Sequence, residues 1–454
     1  MRIVHVPFCF APDPVGGTEV YVANLARDLK GLGVDAIVAA PSETSRSYMI
    51  DGLPVHRFAI SNKMTDVSQL YGPGDPLAAA EFAKILDETR PDLVHLHAFT
   101  CAVSLRLVDA SKTRGLPIVF TYHTPTASCQ RGTLLLWGQR ICDGKLDLVR
   151  CAGCTLHGLG MYRPLAAQIG RLPPLIGRWL GDHGLQGGIW TALRTSELIN
   201  MRHAAFRRMA SEVDHIVAVC KWVQDVILEN GISAAKVSVA RHGINWIPDQ
   251  RIEPISFWAG GAPGEVRIAF VGRLDPTKGL HILINAFQMV PTLKVRLDVY
   301  GVVQNSANAA YKKEMLALAG GDPRISFREP IASPEVVRRL RRYDFLAVPS
   351  QWIETGPLVA LEAFAAGTPV IGWNVGGVGE IVRDGVDGLL IEPGSSVGWV
   401  EALRRVTEDA KLRGKLRAGV RPPRTSLEVA REMLGLYDSL IRSPATPQRE
   451  YVPN

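Results

Sequence analysis

Short runs of β-branched and other apolar residues alternate along the chain with longer stretches in which apolar residues recur every three to four positions. The first pattern is typical of strands in a parallel sheet, and the second of amphipathic helices that cover the sheet. In the first half of the chain the strand pattern occurs at 2–8, 35–41, 91–99, 117–124, 214–220 and 236–243. Helical patterns lie between several of these, at 18–32, 77–90 and 222–230.

The alternation stops at residues 246–265, which are rich in Pro and Gly and are typical of a linker. It then restarts, with strand patterns at 266–273, 295–301, 325–330, 344–350, 369–373 and 388–393. A chain of 454 residues is too long for one core. We therefore predict two α/β domains with parallel sheets, at 1–245 and 266–424, then a helix at 425–445 that packs back on the first domain, and a tail at 446–454.

The composition, with 47% hydrophobic and 21% charged residues, is that of a globular protein. No run of about 18 uninterrupted apolar residues predicts a spanning helix. The first residues have a strand pattern rather than the apolar core of a signal peptide. These features predict a cytoplasmic protein.

The positive charge is concentrated in one segment, at about 158–210. Its window 161–210 holds seven arginines against two acids, and Trp179 and Trp190 lie within it. Cations mixed with aromatic residues favour an anionic membrane surface or a lipid-phosphate acceptor over nucleic acid. The protein would then lie at the inner face of the cell membrane. The alternative is a solvated helical excursion packed on its own domain.

The loop after the first strand of the second domain carries a candidate phosphate site. Gly272 and Gly279 bracket Arg273 and Lys278, directly before a helical pattern. Cations at fixed positions stabilise a diphosphate with charge-assisted hydrogen bonds, and a helix N-terminus adds unpaired N–H groups. The alternative is two solvated surface charges.

Two glutamates follow the strand pattern at 344–350. Pro357 suits the first turn of a helix, which leaves Glu354 in the preceding loop and places Glu362 inside the helix. Carboxylates in these positions can accept hydrogen bonds from the hydroxyls of a transferred sugar and of a ribose. The apolar residues around Glu362 argue against an ordinary surface glutamate.

Arg-x4-Lys-Gly at 273–279 followed by Glu-x7-Glu at 354–362 resembles the retaining glycosyltransferases of family 4, the glycosyl transferases group 1 with the GT-B fold. Other segments match as well: Gly-Gly-Thr-Glu at 16–19, Tyr-His-Thr-Pro at 122–125, and the glycine-rich residues 375–380 with 384–390. The resemblance implies two Rossmann-like domains that face each other across a cleft. It also implies transfer of a sugar from a nucleotide-diphosphate sugar to a sugar or lipid-linked acceptor, in polysaccharide or glycolipid biosynthesis.

The resemblance assigns roles to individual residues. Arg273 and Lys278 would hold the donor diphosphate, Glu362 the ribose, and Glu354 the transferred sugar. His123 would reach the donor sugar from the first domain. Residues of the donor site with a catalytic role would be His123, Arg273, Lys278 and Glu354. The donor-binding set also includes Gly16, Gly17, Gly272, Thr355, Gly356, Pro357, Leu358 and Glu362.

The sequence departs from the family pattern at two places. Thr355 stands where an aromatic residue usually follows the first glutamate, which puts the backbone contacts of that loop in question. His242, in Arg-His-Gly-Ile, stands where Asn is commoner.

The implied mechanism is front-face displacement with retention, in which a donor phosphate oxygen takes the acceptor proton. No Asp-x-Asp placed for a metal stands out, so we predict metal-independent hexosyl transfer. A nucleotide-sugar epimerase of the same fold and a non-catalytic nucleotide-sugar-binding protein are the rival functions. No Gly-x-Gly-x-x-Gly follows a strand, which argues against a dinucleotide-dependent oxidoreductase.

Four cysteines, Cys129, Cys142, Cys151 and Cys154, lie in a glycine-containing insertion at about 125–160. In a reducing cytoplasm such a set more often binds metal than forms disulfides. We favour a structural zinc ion. The alternatives are an iron–sulfur cluster and four unliganded thiols.

Overall fold

The computed structural model describes residues 1–13, 16–62, 66–246 and 264–442. Within these residues, two predominantly parallel sheets form the centres of two domains. The predicted linker lies almost wholly outside the described residues, and the predicted tail lies entirely outside them.

The strands of the first domain are β1 (Arg2–Val6), β2 (Asp35–Ser42), β3 (Arg46–Ile50), β4 (Leu53–Ala59), β5 (Leu93–Leu96), β6 (Ile118–Tyr122), β7 (Leu135–Leu136), β8 (Arg140–Ile141), β9 (His215–Ala218) and β10 (Val237–Val239). Among the described residues, β7 and β8 pair only with each other, and the other eight form one sheet in the order β10-β9-β6-β5-β1-β2-β4-β3. Every pair in this sheet is parallel except β3 with β4.

Successive residues of these strands enter two separate cores, one on each face of the sheet. Val4 and Ile37 belong to one core, and Ile3 and Val38 belong to the other. The helices of this domain are α1 (Gly17–Gly31), α2 (Val67–Tyr71), α3 (Pro76–Thr89), α4 (Leu105–Lys112), α5 (Leu148–Gly158), α6 (Arg163–Ile169), α7 (Pro174–Asp182), α8 (Gly188–Leu193), α9 (Thr195–Glu212) and α10 (Lys221–Glu229). A sheet buried on both faces explains why its strands are continuously apolar rather than alternating.

The second domain repeats the design with a six-stranded parallel sheet in the order β13-β12-β11-β14-β15-β16. Its strands are β11 (Val266–Arg273), β12 (Val295–Val302), β13 (Ile325–Arg328), β14 (Phe345–Val348), β15 (Val370–Trp373) and β16 (Gly388–Ile391). The helices that follow β11 are α11 (Leu280–Gln288), α12 (Ser306–Ala319), α13 (Val336–Leu340), α14 (Leu358–Ala365), α15 (Gly376–Ile381), α16 (Ser396–Glu408), α17 (Ala410–Gly419) and α18 (Ser426–Arg442).

The last helix, α18, leaves the second domain and packs on α1 in the first. Its Met433 and Tyr437 are buried in the core that contains Ile3. The polypeptide passes between the two domains in two segments, near residue 244 and near residue 425. These two crossing segments run side by side. Ile244 N donates to Arg424 O at 3.1 Å, and Ser426 N donates to Ile244 O at 2.9 Å. These two hydrogen bonds tie the segments together where the polypeptide passes between the domains.

All twelve segments with the strand pattern contain strands, which confirms the α/β fold class. The sequence analysis missed the hairpin of β3 and β4. Asp51 and Gly52 form its turn with positive φ angles of 48° and 76°. An Asp-Gly pair between strand-forming residues is a hairpin signal that could have revealed it.

Candidate functional site

The loop that carries Lys278 is pressed against the end of β14. Gly279 has a φ of +72°, and a Cβ on it would lie 1.9 Å from the carbonyl oxygen of Pro349. Only glycine fits a left-handed position this close to another backbone. The contact brings the 3₁₀ turn Pro276–Lys278 beside the loop between β14 and α14, which contains Glu354.

Lys278 and Glu354 form a direct ion pair. The Lys278 Nζ atom lies 2.6 Å from Glu354 Oε1, which also accepts a hydrogen bond from Ser350 Oγ at 2.7 Å. Burial alone would raise the pKa of Glu354. The charge of Lys278 and the hydrogen bonds from Lys278 and Ser350 outweigh it, so the pKa of Glu354 is lowered. Glu354 is therefore an ionised acceptor at neutral pH.

Arg273, the last residue of β11, differs from Lys278 in its surroundings. Its side chain is partly buried, and it makes no hydrogen bond or ion pair with any residue that the structure describes. Gly272 before it leaves space, since a Cβ there would meet only the tip of Phe270, at 4.0 Å. One of the two predicted phosphate-binding cations is thus paired with the predicted sugar-binding glutamate, and the side chain of the other has no partner in the described part of the structure.

The loop at 354–358 is held from both domains. Thr355 Oγ1 donates a hydrogen bond to the carbonyl oxygen of His123 in the first domain. Gly377 N donates to Glu354 O at 2.6 Å from the second domain. Pro357 then caps α14. The departure from the family pattern at Thr355 therefore creates a contact between the domains.

Glu362, in α14, opens on a cavity of about 620 Å³ between the domains. Glu19 of α1 and Leu358 of α14 also line this cavity. Burial raises the pKa of Glu362 to about 7, because the surrounding protein disfavours its charge. The cavity has the size of a small-molecule site.

The glycine loop of the first domain meets the same region. Gly16 N donates to Glu19 Oε2 at 2.8 Å and caps α1. A Cβ on Gly17 would lie 3.7 Å from Leu358 Cδ1 of the second domain. The structure therefore places Gly17 at the edge of the cavity, against the loop at 354–358. This loop is here called the donor loop, because the sequence predicts that it binds the donor.

His123 is buried, and both of its ring nitrogens are engaged. Its Nε2 atom lies 3.0 Å from His97 Nδ1, and its Nδ1 atom lies 3.1 Å from His242 Nε2. Burial lowers the pKa of His123 well below its usual range. The ring is therefore neutral, and a sugar hydroxyl could bind a ring nitrogen only by displacing one of these histidines.

Sequence reasoning missed His97 as a partner of His123. A signal was available, because the two residues follow β5 and β6, which are neighbours in the sheet. The carboxyl ends of adjacent parallel strands meet at one edge, so polar residues there come close together.

The four cysteines of the insertion line one small cavity. Among the described residues, no three of their sulphur atoms lie within 4.8 Å of one another. Sulphurs bound to one tetrahedral zinc ion at about 2.3 Å would be about 3.8 Å apart. Cys154 Sγ instead accepts from Trp137 N at 3.2 Å. A structural zinc ion at these cysteines stays a prediction.

The basic segment is only partly a surface feature, which corrects the simple charge count. Arg194 is buried and pairs with Glu197 at 2.9 Å. Arg202 is buried and donates to the carbonyl oxygen of Thr126 at 2.8 Å. These two arginines stabilise the fold and are not exposed for contact with a membrane surface or an acceptor.

The stretch from 159 to 193, here called the exposed helical segment, has a different character. Large apolar side chains are exposed along it, with exposed fractions between 39% and 76%, at Leu159, Tyr162, Leu165, Leu175, Ile176, Trp179, Ile189 and Trp190. Arg163, Arg171 and Arg178 are exposed among them. Within the described part of the chain, none of the helices has the length and apolar character that a membrane span requires.

Comparisons with known proteins identify the family of this sequence. The sequence model of Glycosyltransferase Family 4 matches residues 15–245, and that of Glycosyl transferases group 1 matches residues 254–421. A D-inositol 3-phosphate glycosyltransferase of Arthrobacter sp. (strain FB24) is 24% identical over 429 residues, which cover 88% of this chain and 84% of that relative. Its counterpart from Acidothermus cellulolyticus is 27% identical over 431 residues, which cover 92% and 82%.

The fold has close counterparts among solved structures. Anabaena Alr3699/HepE in complex with UDP-glucose superposes with a TM-score of 0.62 at 19% identity, over 97% of this chain and 100% of that one. This identity is low enough that the match speaks for the fold alone, whereas the sequence models cover both domains. The chain belongs to glycosyltransferase family 4, within the group 1 glycosyltransferases of the GT-B fold, as its motifs predict.

Proposed function

We propose that this glycosyltransferase moves a hexosyl group from a nucleotide-diphosphate sugar to a hydroxyl of a sugar or lipid-linked acceptor, with retention at the anomeric carbon. The observation that carries the proposal is the Lys278–Glu354 ion pair in the loops after β11 and β14, together with Arg273 at the end of β11, whose side chain has no partner among the described residues. Family membership favours transfer over the epimerase alternative, and these charged residues favour a catalyst over a non-catalytic binding protein.

The nucleoside would occupy the cavity of about 620 Å³, where Glu362 would accept hydrogen bonds from the ribose hydroxyls. The diphosphate would then bind Arg273 and Lys278 through charge-assisted hydrogen bonds. Glu354 would accept from hydroxyls of the transferred sugar. In support, the UDP-glucose complex of the Anabaena protein shows the same fold holding a nucleotide sugar.

Charge on the leaving diphosphate is the largest electrostatic demand of this reaction. The bond from the anomeric carbon to the phosphate oxygen breaks, and the bond to the acceptor oxygen forms on the same face of the sugar. The acceptor proton passes to a donor phosphate oxygen, so the step needs no protein base. Arg273 and Lys278 stabilise the developing charge from fixed positions, and we propose that they do so without a metal ion.

Product analysis tests this proposal. Purified enzyme is incubated with UDP-, GDP- or ADP-linked α-hexoses and a panel of acceptors, and nucleoside diphosphate release is measured together with the anomeric configuration of the product by NMR. We expect an α-linked product and the same rate with and without a chelator. A β-linked product would exclude retention, and a rate lost to chelator and restored by magnesium or manganese would exclude metal independence.

The acceptor has two candidates. The exposed helical segment favours a lipid-linked acceptor at the inner face of the cell membrane, because its apolar side chains can enter a bilayer while Arg163, Arg171 and Arg178 contact anionic headgroups. The second candidate is D-inositol 3-phosphate, which the relatives' names give as their acceptor.

Flotation with liposomes separates the two acceptors. We expect binding to vesicles with anionic lipid at low salt, reduced in a Leu175→Ser/Trp179→Ser variant and unchanged in a Lys312→Ser variant of exposed α12. Absence of flotation, together with full turnover of soluble D-inositol 3-phosphate, would refute the membrane acceptor.

A further inference from the structure

Four histidine rings form one continuous row of hydrogen bonds across the domain boundary, here called the histidine chain. His5 Nδ1 lies 3.1 Å from His97 Nε2, and His97 Nδ1 lies 3.0 Å from His123 Nε2. His123 Nδ1 lies 3.1 Å from His242 Nε2. His242 Nδ1 then lies 3.1 Å from the carbonyl oxygen of Gly356. The histidine chain thus runs from the core of the first domain to the donor loop of the second.

The carbonyl of Gly356 fixes the direction of every bond in this chain. A carbonyl oxygen can only accept, so His242 carries its proton on Nδ1. A neutral imidazole has one donor and one acceptor nitrogen, so His242 Nε2 must accept from His123 Nδ1. The same reasoning places the proton of His97 and of His5 on Nδ1.

The surroundings of the four rings agree with this assignment. Burial lowers the pKa of His5 to about 3 and that of His242 to about 4, and it lowers the pKa of His97 and of His123 well below the usual range. All four rings are neutral at pH 7. The far end, His5 Nε2, is buried without a hydrogen-bond partner in the described structure. In this assignment that atom is a bare acceptor rather than an unmatched N–H.

A metal ion is the competing explanation for part of this cluster. Ring nitrogens of His5, His95 and His97 lie within 4.8 Å of one another. Both nitrogens of His95 are already engaged, however, at 2.6 Å from Tyr437 Oη and at 2.7 Å from Thr121 Oγ1. The nitrogens of His97 are engaged in the chain itself. The hydrogen-bond geometry therefore accounts for these rings without an ion.

His242 lies where three parts of the molecule meet. The next residue, Gly243, lies against the second crossing segment, since a Cβ on it would be 2.3 Å from Thr425 O. The imidazole contacts His123 of the first domain and Gly356 of the second. Gly356 is also needed for this approach, because a Cβ there would lie 2.3 Å from His242 Nδ1.

The two departures from the family pattern belong to this one arrangement. His242 donates to the carbonyl of Gly356, and the neighbouring Thr355 donates to the carbonyl of His123. Residues 123 and 242 and the loop at 354–358 are therefore bound to one another by reciprocal contacts across the cleft.

We propose that His242 is a positioning residue, and that the histidine chain holds the donor loop at Gly356 in the place where Glu354 receives the transferred sugar. This inference rests on the proposed function, because it takes the loop at 354–358 as part of the donor site. Beyond that function, it states the direction of the hydrogen bonds in the histidine chain and the dependence of the donor loop on His242.

Two substitutions separate the ends of the His242 ring. The amide nitrogen of His242→Asn can replace Nδ1 and keep the bond to Gly356 O, but Asn does not reach His123. His242→Gln reaches His123 and loses the bond to Gly356 O. We expect the donor KM to rise about tenfold in His242→Gln, the effect of one unsatisfied buried carbonyl, with kcat and the acceptor KM changed less than threefold. In His242→Asn the donor KM should stay within threefold of wild type.

Equal donor KM values in wild type and His242→Gln would overturn the positioning role, as would an equal loss in both variants. If His242→Gln does not fold, imidazole ¹⁵N NMR of the wild type decides instead. We expect the signals of His5, His97, His123 and His242 to show Nδ1–H tautomers at pH 7, and Nε2–H in His242 would refute the chain. The NMR result does not depend on any donor and tests only the histidine chain. Unchanged turnover in Arg273→Ala would instead refute the proposed function, without bearing on the histidine chain.

Discussion

The two faces of the cleft differ in the kind of polar group that they present. The first domain contributes Gly17 and the neutral rings of His123 and His242. The second domain contributes ions: Lys278 is paired with Glu354, and Arg273 at the end of β11 has no side-chain partner among the described residues. Around the loop at 354–358, the first domain contributes closed hydrogen bonds between neutral groups, and the second domain holds charges that a ligand can engage.

This difference separates positioning from charge stabilisation. Under the proposed function, neutral imidazoles would hold the donor loop without attracting or repelling the diphosphate. The loop could then be fixed while Arg273, Lys278 and Glu354 set the field at the phosphates. Fixed charges of this kind are effective because they need no reorganisation during the reaction. The predictions that follow separate the two faces, from the largest expected effect to the smallest.

Removing a cation from the second face should have the largest effect. Arg273→Ala or Lys278→Ala should lower kcat/KM by about 10²–10³, because the leaving diphosphate loses a fixed charge. Steady-state kinetics checks this, with Lys312→Ala on exposed α12 as the control. A loss below threefold in both variants would contradict the assignment of these cations.

Gly356→Ala should disrupt the contact between His242 and the donor loop by a change in the loop itself. The added Cβ would displace His242, so the donor KM should rise about tenfold while the charges of Lys278 and Glu354 remain. In a double-mutant cycle with His242→Gln, the second substitution should cost little more, since both remove one contact. Fully additive losses would show that the two residues act separately.

Neutral buried histidines make the fold sensitive to acid. Unfolded His242 binds a proton near its ordinary pKa of 6.5, whereas the folded residue does so near 4. Between pH 6.5 and about 4 the unfolded state therefore holds more protons, and stability falls as the pH falls. We therefore expect the free energy of unfolding, measured with urea, to fall between pH 7.5 and pH 5.5 in the wild type. In His242→Asn this fall should be smaller by about 1.4 kcal/mol. An equal loss in both proteins would mean that His242 is protonated in the folded state.

The titration of Glu362 should give the smallest effect. Its pKa of about 7 predicts that the ionised carboxylate, the better acceptor for ribose hydroxyls, becomes dominant between pH 6 and 8. Donor affinity should rise about threefold over this range, measured by calorimetry, and Glu362→Gln should remove the pH dependence. A variant that keeps the wild-type pH profile would place the titration elsewhere.

The two faces also differ in how far sequence reasoning reached. The charged face follows from local motifs, since Arg273, Lys278, Glu354 and the intervening glycines lie in loops directly after strands. The neutral face depends on strand order, because His97 and His123 become neighbours only when β5 pairs with β6. The zinc site that the spacing of the four cysteines predicts stays a prediction. Cys154 lies in α5, and its sulphur accepts a hydrogen bond from the backbone N–H of Trp137.

The central claim is that the charged face binds a nucleotide-diphosphate sugar, and thermal unfolding with UDP-, GDP- and ADP-sugars tests it most directly. We predict that one nucleotide class raises the Tm of the wild type and of Lys312→Ala, and that Arg273→Ala and Glu362→Ala lose the shift. No shift of the wild type at millimolar concentrations, or the same shift in Arg273→Ala, would contradict the account.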